Sequence, residues 1–116
     1  MTMKEFYGAI SGDYDEALTR LMNESMMSRF VKKFADDKSF EELEQNLAAD
    51  RTEEAFRAAH TLKGVCKNLA FTALADVSSE ITEQLRAGDL AAAKEYFPVV
   101  KEKYDVVLAE IAELEK

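Results

Sequence analysis

In the closing stretch of the chain, Phe97, Val100, Tyr104, Val107, Ile111 and Leu114 recur at intervals of three, four, three, four and three. Only an α-helix gathers that spacing onto one stripe; a strand would send successive members to opposite faces. A helix with one apolar stripe has to bury it against other helices, and the rest of the sequence supplies them. Phe6, Tyr7 and Ile10 group over residues 2–10, and Tyr14, Leu18, Leu21 and Met22 over 14–22. Met27, Phe30, Val31 and Phe34 share a stripe over 24–35, and Phe40, Leu43 and Leu47 over 40–49. A long helix is predicted over 51–69, another over 72–87 with Leu74, Val77, Ile81 and Leu85 inward, and the last over 90–115. Breakers are scarce, with one proline and four glycines in 116 residues. Pro98 should kink the final helix or restart it, because it removes one ladder bond.

The punctuation agrees with this reading. Asp13 with Glu16, Ser39 with Glu42 and Asp50 with Glu53 each place a capping side chain three residues before a carboxylate. That spacing satisfies orphan amides at a helix start. Gly88 followed by Asp89 reads as a helix stop and a fresh N-cap. Helices joined by such short loops pack antiparallel. The predicted fold is all-α: an up-down antiparallel four-helix bundle with short N-terminal helices covering one end. Residues 1–116 are read as a single domain, with 1–36 as the capping helices and 39–115 as the bundle. Met1 and the short ends suggest a free-standing chain.

Composition narrows the function classes. Fifteen basic and 23 acidic residues give a net charge of −8, which disfavours binding to nucleic acid phosphates. No apolar run approaches the roughly 20 residues of a membrane span, and no secretory signal opens the chain, so a cytoplasmic location is expected. One cysteine and one histidine exclude a disulfide framework and any multi-cysteine or mostly-histidine metal site. No metal or cofactor is therefore expected on the chain itself.

The helix over 51–69 differs from the others. Gly64 sits inside it, where glycine costs about 1 kcal/mol relative to alanine. On a helical wheel Ala55, Ala58, Ala59, Leu62, Val65, Cys66 and Leu69 form the inner side, and His60 points away from them. Around His60 lie Glu53, Phe56, Arg57, Lys63, Gly64 and Lys67, with Phe71 just beyond the helix end. From Ala55 to Ala75 there is no acidic residue, while Arg57, Lys63 and Lys67 contribute +3; the other 95 residues carry −11. A positive strip on an acidic body suits a small anion or an acidic pocket on a partner. If the anion is a phosphoryl group, each residue has a use. Imidazole is largely neutral near pH 7 and is a nitrogen nucleophile. Lys63, one turn on, balances the added charge, and Gly64 leaves room for another protein's backbone. Phe56, Arg57, Lys67 and Phe71 would form the docking surface, since exposed aromatics are enriched at interfaces. Taken singly, each feature has a plainer reading: a surface histidine, a glycine making room for a neighbouring helix, a solvated lysine face, aromatics tucked under adjacent helices. Their coincidence on one helix face favours a site.

The segment Ala59-His60-Thr61-Leu62-Lys63-Gly64, continuing Val65-Cys66-Lys67-Asn68-Leu69-Ala70, resembles the signature of histidine-containing phosphotransfer (HPt) domains, His-x-Leu-Lys-Gly followed by small residues and a Leu-Gly pair. The resemblance extends to a Gly-Asp-Tyr near the start, the Ala-Ala-Asp-Arg at 48–51 and the Ala-Gly-Asp at 87–89. It implies a four-helix bundle with His60 as phospho-acceptor, Lys63 as its electrostatic neighbour and Gly64 as the clearance position. It also implies response-regulator receiver domains, a sensor histidine kinase, or both as partners. Mg2+ would be held by the receiver. The chain would be a phosphocarrier and not an enzyme, without a kinase or nucleotide site of its own, and a monomer. Two departures stand out. Ala70 replaces the usual second glycine, for which a local packing adjustment is expected. Val65 and Cys66 are bulkier than common, and both should face inward.

Two other classes compete. A helical interaction module could dock through the same face without chemistry; the resemblance tells against it, since inactive relatives of such domains usually lose the histidine. A cofactor-holding bundle fails because one outward histidine cannot supply an inward ligand set.

Overall fold

The apolar stripes become seven α-helices in the computed structural model, which describes residues 1–116: α1 (Met3–Ala9), α2 (Tyr14–Leu21), α3 (Glu24–Lys33), α4 (Ser39–Ala48), α5 (Thr52–Asn68), α6 (Thr72–Arg86) and α7 (Leu90–Leu114). A 3-10 turn, Phe34–Asp36, extends α3, and there is no strand. Helix α7 continues through Pro98 and does not restart there. No helix is long and apolar enough to cross a membrane.

Two of the expected caps form as read. The Asp13 carboxylate accepts the Glu16 N–H at 3.0 Å, and that of Asp89 accepts the Ala92 N–H at 3.0 Å. Two do not. Ser39 is already the first residue of α4, and the Asp37 carboxylate accepts its N–H at 2.9 Å. Arg51, not Asp50, stands at the start of α5. Asp50 instead ends α4 with φ +58, and its carboxylate pairs with Lys94 of α7. A further capping box forms at Thr2 and Glu5, outside the expected set.

Helices α4 to α7 each pack on the next, and α7 packs back on α4, closing a four-helix ring. Phe40 at the start of α4 stacks on Phe97 and Tyr104 of α7, with ring centroids 5.2 and 3.9 Å away. Arg86, the last residue of α6, lies over Phe56 near the start of α5, so these two helices run antiparallel. The alanines Ala55, Ala58 and Ala59 are buried along the inner side of α5 and let its neighbours approach closely.

The N-terminal helices cover the end of the bundle where α5 turns into α6. Phe6 and Tyr7 are fully buried, with ring centroids 5.9 and 5.8 Å from that of Phe71. The Tyr7 hydroxyl donates to the Leu69 carbonyl at 2.7 Å, and burial pushes its phenol well above the ordinary range. The Asp13 N–H donates to the Ala70 carbonyl at 2.9 Å, and the Ala73 N–H to the Ser11 carbonyl at 3.2 Å. Gly12 marks the tightest approach. A Cβ there would lie 2.8 Å from the Tyr7 ring and 2.9 Å from the Ala70 carbonyl oxygen. The Gly-Asp-Tyr sequence therefore locks α1 and α2 onto the α5–α6 turn. Met22, placed on the α2 stripe by periodicity, is instead 82% exposed at φ +77, because α2 ends at Leu21.

Candidate functional site

Ala55, Ala58, Ala59, Leu62 and Cys66 are buried along one side of α5, and that fixes its rotation in the bundle. The opposite side carries His60 to solvent in mid-helix. One turn earlier the Phe56 ring stands 5.9 Å from the imidazole, centroid to centroid. Lys63 is half-buried one turn later, and Gly64 and Lys67 are exposed. Neither lysine forms an ion pair, so both positive charges remain available to a ligand.

The plainest explanation for Gly64 fails. A Cβ built at that position meets nothing within 4 Å, so no neighbouring helix requires the glycine. The positive strip is also less uniform than its sequence. Arg57 is held by Glu53 at 2.6 Å, from just outside the acid-free window, and is not a free cation. Phe56 is only half-buried, and the Arg86 guanidinium lies 5.0 Å above its ring. Arg86 in turn bonds the Glu83 carboxylate at 3.0 Å.

Phe71, expected on the docking surface, is a core residue. It is fully buried, and its ring centroid lies 5.2 Å from that of Phe34 in addition to its contacts with Phe6 and Tyr7. The reason is local. Helix α5 ends in a Schellman motif, with the Phe71 N–H donating to the Cys66 carbonyl at 2.9 Å and the Ala70 N–H to the Lys67 carbonyl at 3.1 Å. The left-handed Ala70, at φ +56, turns the chain inward, and the helical wheel no longer applies beyond it. The same motif ends α1 at Ser11, α4 at Asp50 and α6 at Gly88, all with positive φ; only the last has the glycine this conformation favours. The departure at Ala70 is thus a matter of backbone conformation more than of packing.

Val65 is partly buried, packing against the core while it borders a cleft, and Cys66 is fully buried as expected. Burial, and then the charge of Asp37, push the Cys66 thiol far above the ordinary range. It is no nucleophile at neutral pH. No three His, Cys, Asp or Glu side chains converge so as to hold a metal ion.

Two cations near the site escaped a reading confined to one helix. Arg86 arrives from the end of α6, and Arg20 of α2 donates to the Lys67 carbonyl while pairing with Glu16 at 2.7 Å. The antiparallel pairing of α5 and α6 was a usable signal for Arg86, since it sets the last turn of α6 against the first turn of α5. Nothing in the local sequence pointed to Arg20.

A family model described as Hpt domain matches residues 25–115, from the first turn of α3 through α7. Neither a curated protein nor a solved structure matches the chain.

Proposed function

The chain belongs to the Hpt domain family, whose members are phosphocarriers in two-component systems, and from that premise we propose that His60 carries the phosphoryl group. The observation that supports it most is the setting of the side chain: the chain's one histidine, exposed in mid-helix, with an unpaired Lys63 one turn on and open space above Gly64.

In the proposed step a receiver domain docks with its aspartyl phosphate in line with Nε2 of a neutral His60. The nitrogen lone pair forms the N–P bond as the P–O bond to the aspartate breaks, and the aspartate leaves as a carboxylate. The proton on Nδ1 stays in place. The reverse sequence, with a second receiver, discharges the phosphohistidine. Such transfers proceed mainly by positioning and charge stabilisation. Lys63 would offset charge on the phosphoryl oxygens, and Gly64 would let the receiver backbone come close. Phe56, Arg57 and Lys67 would lie under the docked partner, joined by Arg86. The magnesium ion would sit with the receiver's carboxylates, since no carboxylate cluster surrounds His60.

Incubation with a phosphorylated receiver should place an acid-labile phosphate on the wild-type chain and none on His60→Gln. Undiminished labelling of the His60→Gln variant would refute the assignment.

A further inference from the structure

Phe56 is the one benzene ring on α5, and it stands four residues before His60. Helical side chains lean toward the N-terminus, over the turn before their own, so the imidazole is carried back toward residue 56. The two ring centroids are 5.9 Å apart with the planes tilted by 46°, within the range at which aromatic rings touch. On the other side, one turn on, a Cβ at Gly64 would meet nothing. The imidazole therefore has a wall toward the start of the helix and open space toward its end.

The wall is itself held from a second helix. The Arg86 guanidinium of α6 lies 5.0 Å from the Phe56 ring centroid, and its Nε donates to the Glu83 carboxylate at 3.0 Å. Phe56 is half-buried against the core and borders a surface hollow with Thr52 and Leu85. A cation over the ring and apolar contact beside it fix the ring in place. His60 has no comparable support of its own. It is exposed, and no group of the chain hydrogen-bonds its imidazole. The helix alone leaves such a side chain two χ1 wells and a broad χ2. In-line attack needs one nitrogen at one place, so every unproductive orientation lowers the rate. With no hydrogen bond to orient the ring, the contact with Phe56 selects among them.

We propose that Phe56 is a positioning residue for the transfer: its ring, clamped by Arg86, restricts the His60 imidazole to orientations that present a nitrogen to the phosphoryl donor. The proposal rests on the reading of His60 as the acceptor. It gives Phe56 a role in the free chain, before any partner docks.

The test uses the intact chain and phosphoramidate, a donor that needs no docking surface. Its P–N bond breaks with release of ammonia as the imidazole nitrogen takes the phosphoryl group. At about pH 8, where an imidazole is neutral, Phe56→Ala should be labelled about fivefold more slowly than wild type, the scale of the freedom lost on holding one side chain. Phe56→Tyr, which restores the ring, should recover most of that loss. Because His60 is the only histidine, its Hδ2 and Hε1 resonances are identified without ambiguity. In wild type they should show nuclear Overhauser contacts to the Phe56 ring protons. Equal labelling of Phe56→Ala and wild type would overturn the proposal, as would the absence of ring-to-ring contacts in wild type. So would a Phe56→Tyr variant as slow as Phe56→Ala. A loss in Arg86→Ala without one in Phe56→Ala would make the guanidinium charge the agent, and would overturn it too. Failure of wild type to take phosphate from phosphoramidate would instead refute the acceptor reading.

Discussion

Helix α5 carries a glycine where the fold has no use for one and lacks a glycine where the backbone favours one. At Gly64, in the exposed middle of the helix, a methyl group would meet nothing and would improve helix propensity. Six residues later, Ala70 holds φ +56 in the buried turn, a conformation that costs an L-residue about 1 kcal/mol or more. The two positions respond to different demands. Ala70 is fixed by its surroundings, because its carbonyl accepts from Asp13 and its N–H donates to Lys67. Gly64 is fixed by nothing inside the molecule, which supports the proposal that it gives clearance to a partner approaching His60.

The sharpest way to break the comparison is to fill Gly64. Gly64→Gln should stabilise the fold by about 0.5 kcal/mol, since glutamine is a good helix former. It should slow transfer from a receiver by roughly a hundredfold, the scale expected when reacting atoms are misplaced by about 1 Å. Denaturant melts and single-turnover transfer would read the two effects separately. A variant that is both more stable and fully active would remove the case for a clearance position.

Gly12 provides the contrast within the fold. It faces the same turn from the other side, and a Cβ there would strike both the Tyr7 ring and the Ala70 carbonyl oxygen. Gly12→Ala should destabilise the chain by about 2 kcal/mol, as overpacking does. Phosphoramidate labelling of His60 should be unaffected under conditions where the variant remains folded. Stability would thus fall at the glycine the fold needs and rise at the glycine it does not.

Ala70→Gly should have a smaller effect of the opposite sign. Relief of the left-handed strain should raise stability by about 1 kcal/mol, less a few tenths for the greater freedom of glycine in the unfolded chain. Transfer should not change. The converse substitution at the matching turn, Gly88→Ala at φ +77, should lose about the same amount. If Ala70→Gly is instead neutral, the turn is held more tightly by its hydrogen bonds than its dihedral angle implies.

These positions also show what was legible before the structure. Periodicity placed all seven helices within two residues of their ends, because each has an apolar stripe that only one rotation can bury. The outward placement of His60, Lys63 and Gly64 was legible for the same reason: the buried alanines opposite them fix which way they face. The wheel failed at Phe71 because it was extended past Ala70, where a left-handed residue reverses the chain. It missed Arg86 and Arg20 because each reaches the site from another helix, and spacing within α5 carries no information about either. Ser39 and Asp50 satisfied the capping pattern but stand one position away from the cap, a register that only the turn geometry decides.

The inner side of α5 provides a last and smaller test of how far its two faces are insulated. Cys66 adjoins Lys67 in sequence but is fully buried, and its thiol is held protonated chiefly by burial. A group whose folded pKa is raised contributes its full stability below the unfolded pKa and loses it as pH rises toward the folded value. The unfolded thiol ionises near pH 8.5–9 and the folded one far above, so the window opens there and extends upward. Wild type should lose about 0.5 kcal/mol between pH 7 and pH 9 from this group, and Cys66→Ala should lose correspondingly less over the same interval. Cysteine-directed reagents should label the folded chain only at the rate of global unfolding, whether or not His60 is phosphorylated. Labelling that accelerates on phosphorylation would mean that charge added on the outer face loosens the inner one, and the two sides of α5 could no longer be treated as separate.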